Sequence, residues 1–411
     1  MKRSPLLPIF LVVLVDVLGF TIVYPLLPFY ALKFGATPLV ATTLVSVYAA
    51  CSLLSTPVIG RLSDQYGRRR LLLISQAGTC AGFLVLGFSE ALWMVFLGRI
   101  LDGLTAGNLS TAQAYISDHT KPENRAKAFG IIGIAFGIGF MFGPALAGWL
   151  QEYGMHWPFV VAAVLSLGSM VCSYTLLEPG VMATQSAASP VGPGGKRPAV
   201  FDLAVYLEYF RRPGLGSLYL QFFLFTFSFS AFMGGFALFA RSRFGWTARE
   251  VGFLFTYSGF LGIILQGGLI GRLVKRFGEP QLAVAAFAAI VVADVVLGFT
   301  MVLPLLIAVT TVSAFGNGVA RPVITSEITQ QVGRHEQGVA IGISGSLSSL
   351  AMTMAPPSGG SLLDHDWLVA WTLVPATAAA LGLAAALINR ARRPAVTAGA
   401  AGAPDAANAS G

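Results

Sequence analysis

The 411 residues are 55% hydrophobic and only 11% charged, whereas soluble domains carry about 25% charged residues. A water-facing surface of this size needs more charge, so the composition excludes an ordinary soluble protein and indicates an outer surface that faces lipid. The net charge of +8 does not indicate nucleic acid binding, because the basic residues form short clusters between long apolar runs, as topology signals do.

Twelve apolar runs are long enough, at roughly 20 residues each, to cross a bilayer as helices. In chain order they cover about 6–30, 39–60, 71–90, 93–117, 127–150, 157–177, 214–239, 249–271, 281–300, 303–326, 338–362 and 367–389. With the N-terminus inside, 20 of the 26 basic residues fall in inner segments and four in outer loops. This asymmetry predicts a multi-pass protein of the cell (inner) membrane with both termini cytoplasmic.

An internal repeat divides the chain into two halves. The stretch from Gly60 to Gly67 reappears from Gly271 to Gly278. Four further residues recur at an offset of 212 positions: Gly130, Pro144, Gly148 and Leu150 match Gly342, Pro356, Gly360 and Leu362. Chance matching in a glycine-rich chain is the alternative. The repeat predicts an all-α membrane protein with 12 transmembrane helices in two pseudo-symmetric six-helix bundles.

The domain boundaries follow from composition. We expect an N-terminal six-helix bundle (1–178), a cytoplasmic linker with a short amphipathic helix (179–212), a C-terminal six-helix bundle (213–393) and a disordered cytoplasmic tail (394–411).

Four motifs together resemble a known family. They are the loop Gly60-Arg61-Leu62-Ser63-Asp64-Gln65-Tyr66-Gly67-Arg68, the first-span segment Asp16-Val17-Leu18-Gly19-Phe20, the fourth-span segment Gly98-Arg99-Ile100-Leu101-Asp102-Gly103, and the fifth-span segment Gly139-Phe140-Met141-Phe142-Gly143-Pro144-Ala145-Leu146-Ala147-Gly148. They are similar to the drug:proton antiporter branch of the major facilitator superfamily, and to its tetracycline-resistance-like members. The resemblance implies the major facilitator fold and secondary active transport.

The loop between the second and third spans carries a conformational latch in this family. By resemblance, Gly60, Asp64, Gly67 and Arg68 act with Asp118 in a charge cluster that stabilises the outward-open state. The alternative is that the arginines serve topology alone. The second-half copy has Lys275 in place of Asp64, so the latch is expected on one side only.

Asp16 lies near the middle of the first span. A carboxylate there costs about 2.5–3.5 kcal/mol on insertion scales, and intramembrane ionisable residues are functional candidates by default. The resemblance implies an acidic residue at this point, and we expect Asp16 to couple to protons or to a cationic substrate. A structural hydrogen bond to a neighbouring helix is the alternative.

Arg99 and Asp102 are spaced so that they share one helix face and could form an ion pair. The family pattern contains the arginine but not an acidic residue at position 102. We therefore expect Arg99 to act in proton coupling, and we leave open for Asp102 a structural pair or a second titrating group.

The fifth-span motif, carried by Gly139, Gly143, Pro144 and Gly148, is characteristic of exporters within the family. Ordinary packing of small residues is an additional or alternative role.

Polar and aromatic residues within other spans are candidates for a central substrate cavity. They are Asn108, Gln113, Gln221, Phe225, Gln266, Asn317 and Arg321. Asp294 is a weaker candidate, and Glu327 is expected at the membrane interface.

The sequence thus predicts a proton-coupled exporter of small amphipathic drugs, tetracycline-like or multidrug, that acts as a monomer by alternating access. The alternative is a proton symporter or uniporter that imports a sugar or organic acid; a membrane receptor is a third class. No metal or cofactor is expected, and no nucleophile–base arrangement indicates an enzyme.

Overall fold

The computed structural model describes residues 6–119, 125–177, 203–333 and 336–392, and almost all of these residues are helical. The first half contains α1 (Leu6–Lys33), α2 (Pro38–Tyr66), α3 (Arg68–Gly87), α4 (Leu92–Leu104), α5 (Asn108–His119), α6 (Arg125–Leu150) and α7 (Trp157–Leu176). A short helix, α8 (Leu203–Arg211), precedes the second half. The second half contains α9 (Leu215–Phe244), α10 (Ala248–Ile264), α11 (Ile270–Phe277), α12 (Glu279–Gly298), α13 (Leu303–Gln330), α14 (Gln337–Asp364) and α15 (Leu368–Arg392).

Within the described ranges, eleven helical stretches are long and apolar enough to cross a membrane. One of them combines α10 and α11 through a single π-helical turn, Leu265–Leu269. The short helices α4 and α5 together form the twelfth span. The predicted all-α fold of twelve membrane helices in two bundles is confirmed. The predicted linker before residue 203 and the predicted tail from residue 394 lie outside the described residues.

The fourth span is interrupted, which corrects the prediction of one continuous helix over 93–117. The Thr105 hydroxyl donates to the Leu101 carbonyl at 2.8 Å, and α4 ends at Leu104. The backbone at Gly107 lies against Ile59 and Ser75, where a side chain would overlap both. The run 93–117 averages over this break, because α4 is strongly apolar whereas α5 is rich in polar residues.

The repeated glycines form equivalent turns in the two halves. Gly67 ends α2 with φ 94°, and Gly278 ends α11 with φ 77°. L-residues with side chains rarely adopt such angles. The amide of Gly67 donates to Ser63 and that of Gly278 to Val274, at 3.1 and 2.9 Å. We call the end of the molecule with these turns the inner end; it is the predicted cytoplasmic end.

The two halves meet mainly along two helix pairs, α2 with α14 and α6 with α10. At the outer end these pairs are tightly packed: the Leu39 amide donates to Asp364 at 2.8 Å, and Gly148 lies against the Arg249 backbone. Towards the inner end, glycines of α14 and of the π-helical turn after α10 adjoin open space. A methyl group added at Gly342 or Gly268 would meet no atom within 4 Å.

The hydrophobic core follows the same division. One cluster at the outer end joins residues of both halves, from Ile22 in α1 to Trp371 in α15. At the inner end, each half has a separate cluster of its own, around Tyr115 in the first half and around Phe287 in the second. The molecule is therefore closed at its outer end and open at its inner end.

Candidate functional site

Asp16 lies midway along α1 and is held by the start of α5. The Asn108 amide donates to its carboxylate at 2.6 Å. Asn108 is the first residue of α5, so the break in the fourth span determines where this amide lies. The structure brings together the predicted coupling residue Asp16 and the predicted cavity residue Asn108.

A small polar cavity adjoins the Asp16 carboxylate. Its volume is about 10 Å³, the space of roughly one water molecule. The cavity is lined by Val12, Val15, Asp16, Gln76, Thr79, Phe83, Asn108, Ser166 and Ser169. Within the described part of the chain, the side-chain amide oxygens of Asn108 and Gln76 are buried without a hydrogen-bond partner.

Arg99 and Asp102 form an ion pair of 3.2 Å on the buried face of α4. The guanidinium also lies over the Tyr48 ring of α2, 4.5 Å from its centre. Both charged residues are almost fully buried, at 4% and 6% exposed. The Asp102 carboxylate is also close enough to Asp16 for their charges to interact. All three predicted coupling residues therefore belong to one electrostatic cluster.

The predicted latch residues meet at the inner end. Arg68 pairs with Asp64 at 2.5 Å and with Asp118 at 3.0 Å. Its guanidinium also donates to the Ser63 hydroxyl at 2.6 Å. Gly67 makes this possible, because its positive φ turns the chain between Asp64 and Arg68. Gly60 lies in open space, with no atom within 4 Å of an added methyl group.

The fifth-span glycines pack α6 between the two halves. Gly139 and Gly143 face α1, where the Thr21 hydroxyl donates to the Gly139 carbonyl at 2.9 Å. The Pro144 carbonyl lies against Gly252 of α10, and Gly148 lies against Arg249. The motif thus allows α6 to approach α1 within its own bundle and α10 across the bundle interface.

The remaining cavity candidates divide into two groups. Gln221 and Phe225 are buried, at 1% and 5% exposed, so they do not line the open inner end in this conformation. Gln266 and Arg321 are exposed, and Gln113 and Asn317 are half-buried. Gln266 belongs to the π-helical turn, a feature that often marks functional sites.

Several contributing residues were not predicted. Tyr48 and Thr79 contact the Arg99–Asp102 pair from α2 and α3, and Thr21 joins α1 to α6. The hydroxyl of Thr21, in a span that is mostly apolar, was a signal that could have identified it. Tyr48 gave no signal, because it reaches Arg99 only through the packing of α2 on α4.

Two carboxyls in the second half are buried. Asp294 of α12 is 2% exposed and lies near the Ser228 hydroxyl of α9. Glu327, expected at the membrane interface, is 3% exposed, because it shares the packed face of α13 with Ile324 and Ile328.

A single family profile matches both halves of the chain. The profile of the Major Facilitator Superfamily matches residues 9–293 and, a second time, residues 218–408. The chain belongs to the major facilitator superfamily.

Relatives and solved structures agree with this membership. The chain is 30% identical over 369 residues to the tetracycline resistance protein, class B, of Escherichia coli, with 86% of this chain and 87% of the relative covered. It is 26% identical to multidrug resistance protein 2 of Bacillus subtilis (strain 168), with coverages of 86% and 87%. A bacterial homologue of the human lysosomal transporter Spinster, in an inward-facing conformation, superposes with a TM-score of 0.76 at 15% identity, covering 96% and 100% of the two chains. The chain is a multi-pass membrane transporter of this superfamily.

Proposed function

We propose that this transporter exports small amphipathic molecules, tetracycline-like or multidrug, in exchange for protons. The observation that carries the proposal is the buried cluster in which Asp16 accepts from Asn108 beside the Arg99–Asp102 ion pair. Buried ionisable groups in a membrane span are costly, and they mark ion and proton pathways in transporters.

The charge balance of the cluster favours a single exchangeable proton. Two carboxylates, Asp16 and Asp102, share one cation, Arg99. With all three groups ionised the cluster carries one excess negative charge in a low-dielectric region, and one bound proton neutralises it. Asp16 is the better site for that proton, because Asp102 is already paired with Arg99. Protonation and substrate binding would then compete through the same negative charge.

Export rather than import is supported by the fifth-span motif and by the relatives. Gly139, Gly143, Pro144 and Gly148 match the pattern that characterises exporters in the family. The relatives named above are a tetracycline resistance protein and a multidrug resistance protein. The inner end is open, so a molecule from the predicted cytoplasmic side could enter the cleft.

The proposal includes topology and switching. Both termini would be cytoplasmic in the inner membrane of the cell, and the transporter would act as a monomer. The Arg68 cluster with Asp64 and Asp118 would act as a latch when the inner ends close together. Arg68 already pairs with Asp64 and Asp118 in this structure. The latch would therefore be assembled within the first half before the inner ends close.

The decisive experiment uses everted membrane vesicles with an acidic interior, a pH-sensitive dye and a panel of amphipathic drugs. Exchange of a drug for internal protons should restore the dye's fluorescence. Asp16→Asn should abolish this response, because an amide cannot carry the exchanged proton, whereas the amount of protein in the membrane should not change.

Asp366→Asn is the matched control, since it makes the same chemical change in an outer turn. Asp366 has φ 54°, a conformation that Asn tolerates well, so this variant should respond like the wild type. Wild-type coupling in Asp16→Asn would remove Asp16 from the mechanism. Downhill movement of a sugar or organic acid toward the cytoplasmic face, with no response to any drug, would contradict the exporter proposal and support the importer alternative.

A further inference from the structure

We propose that Arg321 of α13 binds an anionic group, such as a carboxylate or enolate, on the transported molecule. This inference rests on the proposed function, because it assigns a chemical class to the substrate of the same cleft. It adds a cation-lined subsite in the second half to the acidic cluster of the first half.

Arg321 is an intramembrane cation without a counterion. Among the described residues, neither a carboxylate nor an aromatic ring contacts its guanidinium. Arg99, in the corresponding span of the first half, has both kinds of partner, Asp102 and Tyr48. An unpaired arginine at this depth is expensive, so a ligand that supplies the missing negative charge would be strongly favoured.

The side chain of Arg321 is exposed, although its neighbours Ala320 and Val323 belong to the packed inner-end cluster of the second half. Arg321 therefore lies beside the opening between the two inner-end clusters. Arginine's planar fork of N–H donors matches a carboxylate in two parallel hydrogen bonds. In a cleft of reduced dielectric, such a pair is stronger than it is at an open surface.

The neighbouring residues make the location suitable for a ligand. Asn317 lies one turn earlier on the same helix face, and its side-chain oxygen has no hydrogen-bond partner in the described chain. One residue further along α13, Gly318 faces Leu265, which would lie 2.7 Å from a methyl group added at Gly318 and which begins the π-helical turn between α10 and α11. This turn carries the exposed Gln266. Pro322 follows Arg321 and leaves the Gly318 carbonyl without its helical donor.

Snorkelling to lipid headgroups is the simplest alternative for an arginine in a span. Arg321 lies nine residues before Gln330, the inner end of α13, which corresponds to about 14 Å along the helix. Its Cα–Cβ bond points toward the N-terminus of α13, which lies at the outer end. The side chain therefore starts toward the membrane centre and away from the nearer headgroups.

Ligand binding to the purified full-length chain in lipid nanodiscs tests the inference directly. The probes share one ring system and differ in charge: 2-naphthoate, 2-naphthamide and (2-naphthylmethyl)trimethylammonium. The wild type should bind the naphthoate at least about 10-fold more tightly than the amide, as expected for a charge-assisted pair. Arg321→Gln should remove this preference by weakening naphthoate binding about 10-fold and leaving naphthamide binding unchanged. Arg321→Lys keeps the positive charge but lacks the planar pair of N–H donors, so its affinity for naphthoate should lie between those of the wild type and Arg321→Gln.

Arg276→Gln is the matched control, because it removes an exposed arginine from α11 in the same half and should leave all three affinities unchanged. Equal binding of naphthoate and naphthamide by the wild type would overturn the inference, even if Arg321→Gln failed to fold. Parallel loss of both ligands in a folded Arg321→Gln variant would also overturn it. Binding needs no proton gradient, so naphthoate selectivity without drug-driven proton release would sustain this subsite and refute the exporter.

Discussion

Gly143 shows how a single small residue controls the contact between α1 and α6. A methyl group added there would lie 2.7 Å from Thr21 Cβ and closer still to its hydroxyl. Thr21 cannot move away freely, because its hydroxyl donates to the carbonyls of Val17 and Gly139 at 2.8 and 2.9 Å. Gly143 is therefore a packing requirement, in addition to the exporter role that we propose for the fifth-span motif.

Gly143→Ala should destabilise the protein by about 1–3 kcal/mol, the usual cost of overpacking a close contact. The measurement is the apparent melting temperature of the purified chain in nanodiscs. Gly133→Ala is the matched control on the same helix, because a methyl group there meets no atom within 4 Å. It should melt at or slightly above the wild-type temperature, since alanine favours helices over glycine. Equal melting of the two variants would show that α1 and α6 are less tightly packed than described.

At the scale of elements, α8 is fastened to the inner end of α14. Arg212, just after α8, donates to both carboxylate oxygens of Glu336 at 3.0 and 2.9 Å and pairs with Glu208 at 2.9 Å. The Tyr206 hydroxyl lies 2.7 Å from that of Ser346 on α14. The guanidinium beside Glu336 lowers the pKa of that carboxyl. The linker helix thus touches α14, one of the helices that pack against the other half.

The lowered pKa of Glu336 gives this attachment a pH dependence of definite sign. Its stabilising contribution is present above the ordinary carboxyl pKa, about 4.3, and is lost as the pH falls through the lowered folded-state value. Because the partners are about a third exposed or more, the contribution is modest, about 0.2–1 kcal/mol. Spin labels at positions 207 and 338 should give a narrow distance distribution at pH 7 and a broader one in acid.

Glu336→Gln is the control for the spin-label experiment, because glutamine neither pairs with Arg212 as an ion nor titrates. Its distance distribution should be broad at pH 7 and should not change in acid. A distribution that stays narrow in this variant would mean that the Tyr206–Ser346 contact, rather than the ion pair, holds α8.

The broken fourth span marks where sequence reasoning reached its limit at this scale. Apolar run lengths predicted twelve spans, and the repeat predicted the two halves, because both follow from local composition. The break between Leu104 and Asn108 depends on how tightly Gly107 packs against Ile59 of α2. Motif spacing predicted the Arg99–Asp102 pair, whereas the Tyr48 contact depends on tertiary packing. In the sequence, Gln221 and Gln266 are equivalent, because each is a polar residue within an apolar span. Only the three-dimensional packing shows that Gln221 is buried and that Gln266 is exposed.

For the whole molecule, the two halves share a scaffold and differ in charge. The first half holds the Asp16 cluster and the Arg68 cluster, both internally paired. The second half presents Arg321 without a described partner and keeps Asp294 buried. A central cleft between an acidic and a basic side suits molecules that are amphipathic and carry an ionisable group. Transport then requires that the outer contacts open while the inner ends close.

The outer contact between α2 and α14 provides a test of this rocking motion. The Leu39 amide donates to the Asp364 carboxylate at 2.8 Å, so the ends of α2 and α14 are close enough for a short bifunctional methanethiosulfonate to join cysteines at these two positions. In a background with Cys51, Cys80 and Cys172 replaced by alanine, Leu39→Cys/Asp364→Cys treated with this reagent should hold the outer end closed. Drug-driven proton release should then fall to background and return on reduction with dithiothreitol. The single variant Leu39→Cys should stay active after the same treatment, and full transport by the cross-linked double variant would show that these outer ends need not separate.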